Sequence, residues 1–160
     1  MRSFVFIPVV LLFSCSDYSS KLKSYTLNFG SFTIETPEHW KKIKAQGIDS
    51  YIGKIAIDSK DTLWFDLGWY SNTLTEDEDI DSDEHRKNSV LWDTIDHRKA
   101  KIVFPIKSGI GITGVYIDSL WQSGSDIDRF NLYGVNLKTE NEKILLQAIK
   151  TLRFYKKPAE

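Results

Sequence analysis

The sequence predicts an α+β fold, an antiparallel β-sheet flanked by helices and closed by a long C-terminal helix. Three observations predict it. Segments that alternate apolar and polar residues recur between clusters of Gly, Ser and Asp, the period-2 pattern of half-buried strands. Pro37 follows such a segment and opens a helical turn that runs to about Lys44, with Gly47 past its end. Near the C-terminus, Ile144, Leu145, Ala148, Ile149 and Leu152 fall on one face at helical spacing.

The chain begins with Arg2 and an almost unbroken apolar run, Phe4 to Phe13. At about ten residues this run is too short to span a bilayer but has the length of a secretory h-region. It ends in Leu12-Phe13-Ser14-Cys15, which resembles the lipobox of bacterial lipoproteins. The resemblance implies that the Cys15 thiol is diacylglycerylated, with palmitate-type chains, that cleavage follows Ser14, and that the new amine is acylated in turn. Residues 1–14 are then a signal peptide, 15–23 a polar tether and 24–160 one domain. The expected address is the bacterial cell envelope, the outer membrane in preference to the inner, facing the periplasm or the exterior.

The chain has 160 residues, a net charge of −1 and one cysteine. With Cys15 acylated, the remainder has no thiol for a disulfide, a zinc–cysteine site or a nucleophile. A nearly neutral chain gathers no nucleic acid. Membrane association is accordingly expected from the acyl chains and not from a polybasic face.

Strands are expected at Tyr25–Phe29 and Phe32–Thr36, joined at Gly30-Ser31, with Phe32 and Ile34 on the buried side. A second pair, Ser50–Ile57 and Thr62–Tyr70, turns at Asp58-Ser59-Lys60-Asp61. In the latter strand Leu63, Phe65, Leu67 and Trp69 form a core face. Trp64, Asp66, Gly68 and Tyr70 form a mixed, aromatic one. The acidic stretch Asn72–Asn88 reads as a long loop. Further strands are expected at Val90–Ile95, Ala100–Pro105, Ile110–Leu120 and Arg129–Leu137, the last three separated by Ser108-Gly109 and Ser123–Asp128. Thr139-Glu140-Asn141-Glu142 fits a capping box ahead of the terminal helix, Arg153-Phe154-Tyr155 reads as a returning strand, and Lys156–Glu160 as a tail.

Ser31-Phe32-Thr33-Ile34-Glu35-Thr36-Pro37 leading to Trp40 resembles the opening of PsbP-like and DcrB-like domains. The stretch Ile144–Thr151 running into Leu152-Arg153-Phe154 is similar to their closing helix and strand. The resemblance covers roughly a third of the mature chain, at its two ends. It implies a central antiparallel sheet flanked by helices, and a superfamily of mostly non-enzymatic binders; it carries no site residue.

Chemical motifs are few. Gly109-Ile110-Gly111-Ile112-Thr113-Gly114 matches G-x-G-x-x-G, but a strand-like Val115–Leu120 comes next, where a phosphate-binding turn needs a helix. A crowded or edge strand explains the glycines better. The acidic run Glu76–Glu84 fails as an EF-hand. From Asp77 the sixth and twelfth positions are Ser82 and Asn88, and from Asp79 they are Glu84 and Val90. His39, His85 and His97 show no metal-ligand spacing, and nothing sets Asp49 and Asp66 at a glycosidase separation. The five tryptophans are expected mostly in the core, with Trp64 and Trp92 able to line a binding face.

No catalytic set, metal site or cofactor is therefore expected. The expectation is a non-catalytic envelope lipoprotein, anchored through Cys15, that binds a protein partner as adaptor, assembly factor or immunity protein. The binding candidates are Trp64, Asp66 and Tyr70. The alternative is a small-molecule carrier or an enzyme built on the mixed face of the sheet.

Overall fold

The computed structural model describes residues 24–44, 47, 50–74, 87–123 and 125–155. The leader, Cys15, the tether, Asp49, His85, residues 75–86 of the acidic run and the tail lie outside them. The described elements are β1 (Ser24–Asn28), β2 (Phe32–Pro37), β3 (Lys41–Lys44), β4 (Tyr51–Ala56), β5 (Thr62–Gly68), β6 (Asn88–Ile95), β7 (Arg98–Pro105), β8 (Ile112–Ser123), β9 (Asp126–Val135), α1 (Thr139–Ile149) and β10 (Arg153–Phe154). They build two antiparallel sheets, one ordered β1-β2-β10 and one ordered β3-β4-β5-β9-β8-β7-β6. No described helix is long and apolar enough to cross a membrane.

This architecture corrects the expected class. Among the described residues the protein is mostly β, two sheets of three and seven strands with one short helix, and not a helix-flanked α+β sandwich. The stretch Pro37–Lys44 is no helix. Pro37 is buried as the last residue of β2, and a turn closed by Trp40 N–H to Pro37 C=O (3.1 Å) drives the Trp40 indole into the core. The Lys-Lys-Ile-Lys segment beyond Trp40 has no apolar stripe for a helix to bury, and it pairs with β4 as an edge strand instead. The terminal helix is only 11 residues long. Leu152 and Phe154 are both drawn into the core directly after it, and β10 must reach β2, so the chain leaves the helix early.

Phe32 joins the two sheets. It sits on the central strand of the small sheet with no exposed surface. Its ring stacks on Phe29 at 4.6 Å and meets Phe65 of β5 and Phe130 of β9 edge-on at 5.0 and 4.9 Å. Ile34, Leu63, Leu132, Val115 and Ile117 extend this layer, and α1 closes it over β2 and β8 with Leu145, Ala148 and Ile149. Gly53 is required here, because the Phe65 ring lies where a β-carbon would be.

The helix start also differs from the expected capping box. Lys138 is the N-cap, and no side chain caps locally. Both halves of the box are used at a distance, with Thr139 Oγ1 lying 2.7 Å from the Ser108 hydroxyl. Glu142 Oε1 accepts from Gly109 N–H at 2.8 Å, and its Oε2 accepts from the Ser108 hydroxyl at 2.6 Å, pinning the β7–β8 turn. The capping falls to the β4–β5 turn, where Asp61 Oδ2 accepts from Lys138 N–H (2.9 Å) and Asn141 Nδ2 (2.7 Å). Asp58 organises that turn through Lys60 and Asp61 amides and pairs with Lys138 Nζ at 2.8 Å. Ser123–Asp128, read as a separator, is instead strand on both sides of a tight hairpin, with Ser123 opposite Asp126 and Trp121 opposite Asp128. At the β6–β7 turn Asp96 and His97 both hold positive φ, 47° and 63°. Asp96 Oδ2 there accepts from Arg98 Nη1 and from Phe154 N–H (3.0 Å), tying the hairpin to β10.

The helix start can be tested at two positions. Asp61→Ala should lower unfolding free energy by about 1–3 kcal/mol in urea titration, since it removes the partner of the Lys138 amide and one of the two carboxylate partners of the buried Asn141 side chain. Glu140→Ala, on the exposed side of the same turn, should change it by less than about 0.5 kcal/mol. The Lys138 ammonium, together with the turn amides, holds the Asp58 carboxyl well below the usual carboxylate range. A depressed native pKa stabilises the fold above the unfolded value of about 4, and the gain is lost as pH falls below it. Asp58→Asn should therefore cost stability at pH 7 and progressively less towards pH 2, as read by thermal melts across that range.

Candidate functional site

One face of the seven-stranded sheet packs on the small sheet and α1, and the other looks outward. Strand register gives the outward face its composition. One row runs Ile43, Lys54, Trp64, Tyr133, Gly114, Val103 and Val90 across all seven strands. The next runs Ile52, Asp66, Asn131, Tyr116, Lys101 and Trp92. Gly114 is needed in the first row because a β-carbon there would strike the Leu132 carbonyl oxygen at 2.5 Å and Tyr133 Cβ at 2.6 Å.

Lysines on this face stand beside aromatic rings. Lys54 Nζ stands 3.7 Å over the Trp64 ring and Lys99 Nζ 4.4 Å over that of Trp92. Each pair holds a flat aromatic surface in place at the solvent boundary while keeping a cation beside it. Between them Lys101 Nζ lies 5.4 Å from the buried Tyr116 ring. Burial, reinforced by the hydrogen bond to Asp118, pushes the Tyr116 hydroxyl up to about 12. It is a neutral donor at any physiological pH, not a base.

The start of the expected loop closes the middle of this face. The Ser71 hydroxyl donates to Asp66 C=O (2.9 Å), and Asn131 Nδ2 donates to Asn72 C=O (3.1 Å). Leu74, at φ 56°, is thereby folded onto Val103 and Tyr116 and buried. Leu74 divides the outward face into a Trp64 patch over β4, β5 and β9 and a Trp92 patch over β6 and β7.

Of the three sequence candidates, the structure brings two together. Trp64, 45% exposed, and Asp66, half-buried with Oδ1 lacking a hydrogen-bond partner, share the outward face of β5. Tyr70 does not join them. The strand ends at Gly68, a turn comes next with Ser71 N–H on Gly68 C=O, and Tyr70 protrudes beside Trp69 with ring centroids 5.2 Å apart. Trp69, assigned to the core face, is exposed for the same reason. The tryptophans as a group depart from expectation: only Trp40 is buried, Trp121 packs partly against the core, and Trp64, Trp69 and Trp92 are open.

The remaining motifs resolve as structure. Gly109 and Gly111 hold φ values of 84° and 136°, and Gly114 lies inside β8, an interior strand and not an edge. The amides a phosphate would need are taken: Gly109 N–H by Glu142, Gly111 N–H by Asn136 and Ile112 N–H by Asn88. His39 and His97 sit in separate turns, and no cluster of metal-ligating side chains occurs among the described residues.

The sequence missed the sheet edges. At β6 the side chains Val90, Leu91 and Trp92 are all about half exposed, and among the described residues this strand pairs only with β7. Leu91 lies in the core-facing row Gly53-Phe65-Leu132-Val115-Ile102-Leu91, beyond the reach of the small sheet and α1. The opposite edge, β3, is Lys-Lys-Ile-Lys. Lysine is the usual guard against strand addition, so one edge is guarded and the other open.

No protein-family model matches the chain, and no curated protein matches it either.

Trp64→Ala and Tyr70→Ala should each change stability by under about 1 kcal/mol, as expected for open side chains. Phe65→Ala should cost about 3–5 kcal/mol, since its ring is buried against Phe29 and Phe32 and is covered on its outer side by Tyr51. Equilibrium unfolding of the three variants side by side checks this.

Proposed function

We propose that this protein is a non-catalytic lipoprotein of the bacterial envelope, held to the membrane by acylated Cys15, that binds a protein partner through the β6 edge and the Trp92 patch beside it. The observation that carries the binding role is the open edge, eight residues long with only Asp93 charged. A row of backbone groups that pairs with no other strand among the described residues, flanked by exposed Val90, Leu91 and Trp92, accepts an extended segment by strand addition. The aromatic-plus-lysine composition supplies the tryptophan anchors that dominate binding hot spots. Leu74 filling the centre of the outward face favours a protein partner over a small ligand seated there. An adaptor, an assembly factor and an immunity protein that masks a toxin all use such a surface.

The test is capture of a partner from envelope extract by immobilised protein. Leu91→Lys and Trp92→Lys, which place cations on the open edge, should abolish capture while leaving the melting temperature within a few degrees. Retention of the same partner by both variants would exclude the β6 edge. For the anchor, intact mass of the membrane fraction should show a chain beginning at Cys15 with added acyl mass, and Cys15→Ala should leave uncleaved precursor or a species that no longer sediments with membranes.

A further inference from the structure

The guarded edge has a second use. We propose that β3 docks on anionic lipid headgroups, so that the seven-stranded sheet stands on the membrane with β3 inward and the open β6 edge outward. This rests on the lipid anchor at Cys15.

Three features place β3 there. Ser24, where the described chain begins, pairs with Pro37. The turn closed by Trp40 N–H to Pro37 C=O leads directly into Lys41. A strand pair of about 5.5 Å, a turn of under about 7 Å and one further residue put Lys41 Cα within about 16 Å of Ser24 Cα. The eight residues Ser16–Lys23 extend to about 27 Å, so the lysine edge reaches the bilayer that holds the acyl chains.

Charge is the second feature. Three of the four residues of β3 are lysine, and the tether adds Lys21 and Lys23 in sequence. Lys41 makes no ion pair among the described residues. Among the described residues the Lys42 ammonium bonds the neutral Asn28 carbonyl oxygen and lies 5.2 Å over the Phe29 ring, and neither contact cancels its charge. The opposing acids, exposed Glu35 and Glu38 among the described residues and Asp17 in the tether sequence, are fewer than these five lysines. Ile43, 44% exposed on the outward side of the same strand, is an apolar contact suited to the headgroup boundary. The whole-chain charge of −1 hides this edge, because the balancing acids lie elsewhere in the sequence.

Distance is the third. Six strand spacings of about 4.8 Å set β6 about 29 Å from β3, across the width of the sheet. A protein standing on β3 presents Val90, Leu91 and Trp92 clear of the surface.

The experiment uses the full acylated protein in vesicles of phosphatidylcholine alone or with 30% phosphatidylglycerol. Trace amine acetylation is read lysine by lysine by mass spectrometry. Each lysine held at an anionic surface strengthens association about fivefold. Lys41 and Lys42 should therefore be labelled several-fold more slowly on the phosphatidylglycerol vesicles, with the protection lost in 0.5 M salt. Lys99 and Lys107, near the far edge, should label equally on both. Lys41→Gln should weaken the protection of Lys42 while the protein still sediments. Equal labelling of Lys41 and Lys42 on both vesicles, with the protein sedimenting, overturns the orientation and leaves the anchor standing. Failure to sediment with either vesicle overturns the anchor, and the orientation with it.

Discussion

Everything in this fold hangs on the burial of Phe32 between two sheets. The small sheet has three strands, two of them the first of the domain and one the last, and alone it could not exclude water from any face. The large sheet has two apolar-bearing faces and needs a cover for one. Phe32, Phe29 and Phe154 from the small sheet enter a socket made by Phe65 and Phe130 of the large one. Edge-on aromatic contacts fix the angle as well as the separation, so the two layers have one way to meet. Once that face is taken, α1 has only the remaining strip over β8 and β2 to cover, and a short helix suffices.

Period-2 alternation made most strands legible. The register of β1 with β2 and of β4 with β5 follows from their tight turns, and Leu63, Phe65 and Leu67 are buried as the alternation requires. The short β10 was readable because Phe154 is an apolar residue just past a helix that has nowhere else to go. What the sequence hid was decided by neighbours distant along the chain. Lys41–Lys44 is a strand only because β4 offers it a ladder. The residues of the capping box are present, yet the Asp58–Asp61 turn reaches the helix start and releases Glu142 to bind the β7–β8 turn. Local chemistry named the right groups and the wrong partners.

The candidate surface was half readable for a related reason. Trp64 and Asp66 share a face by alternation alone, and Tyr70 would have joined them had β5 run two residues further. Nothing local reveals that β6 ends the sheet, since an edge is a property of strand order and the order here runs β5-β9-β8-β7-β6. Lys54 and Lys99 are equally silent until register sets them over Trp64 and Trp92.

The pairing of β2 with β10 has a consequence for when this chain can fold. Phe32 lies opposite Phe154, so a contact at the centre of the core joins residues near the two ends of the domain. Closing so long a loop is slow, and no shorter segment holds all the walls of the aromatic socket. A chain in which Phe154 has not yet been made therefore lacks β10 and one side of the aromatic cluster. Until Phe154 can reach Phe32 the small sheet is one strand short, and the core closes as a single late step.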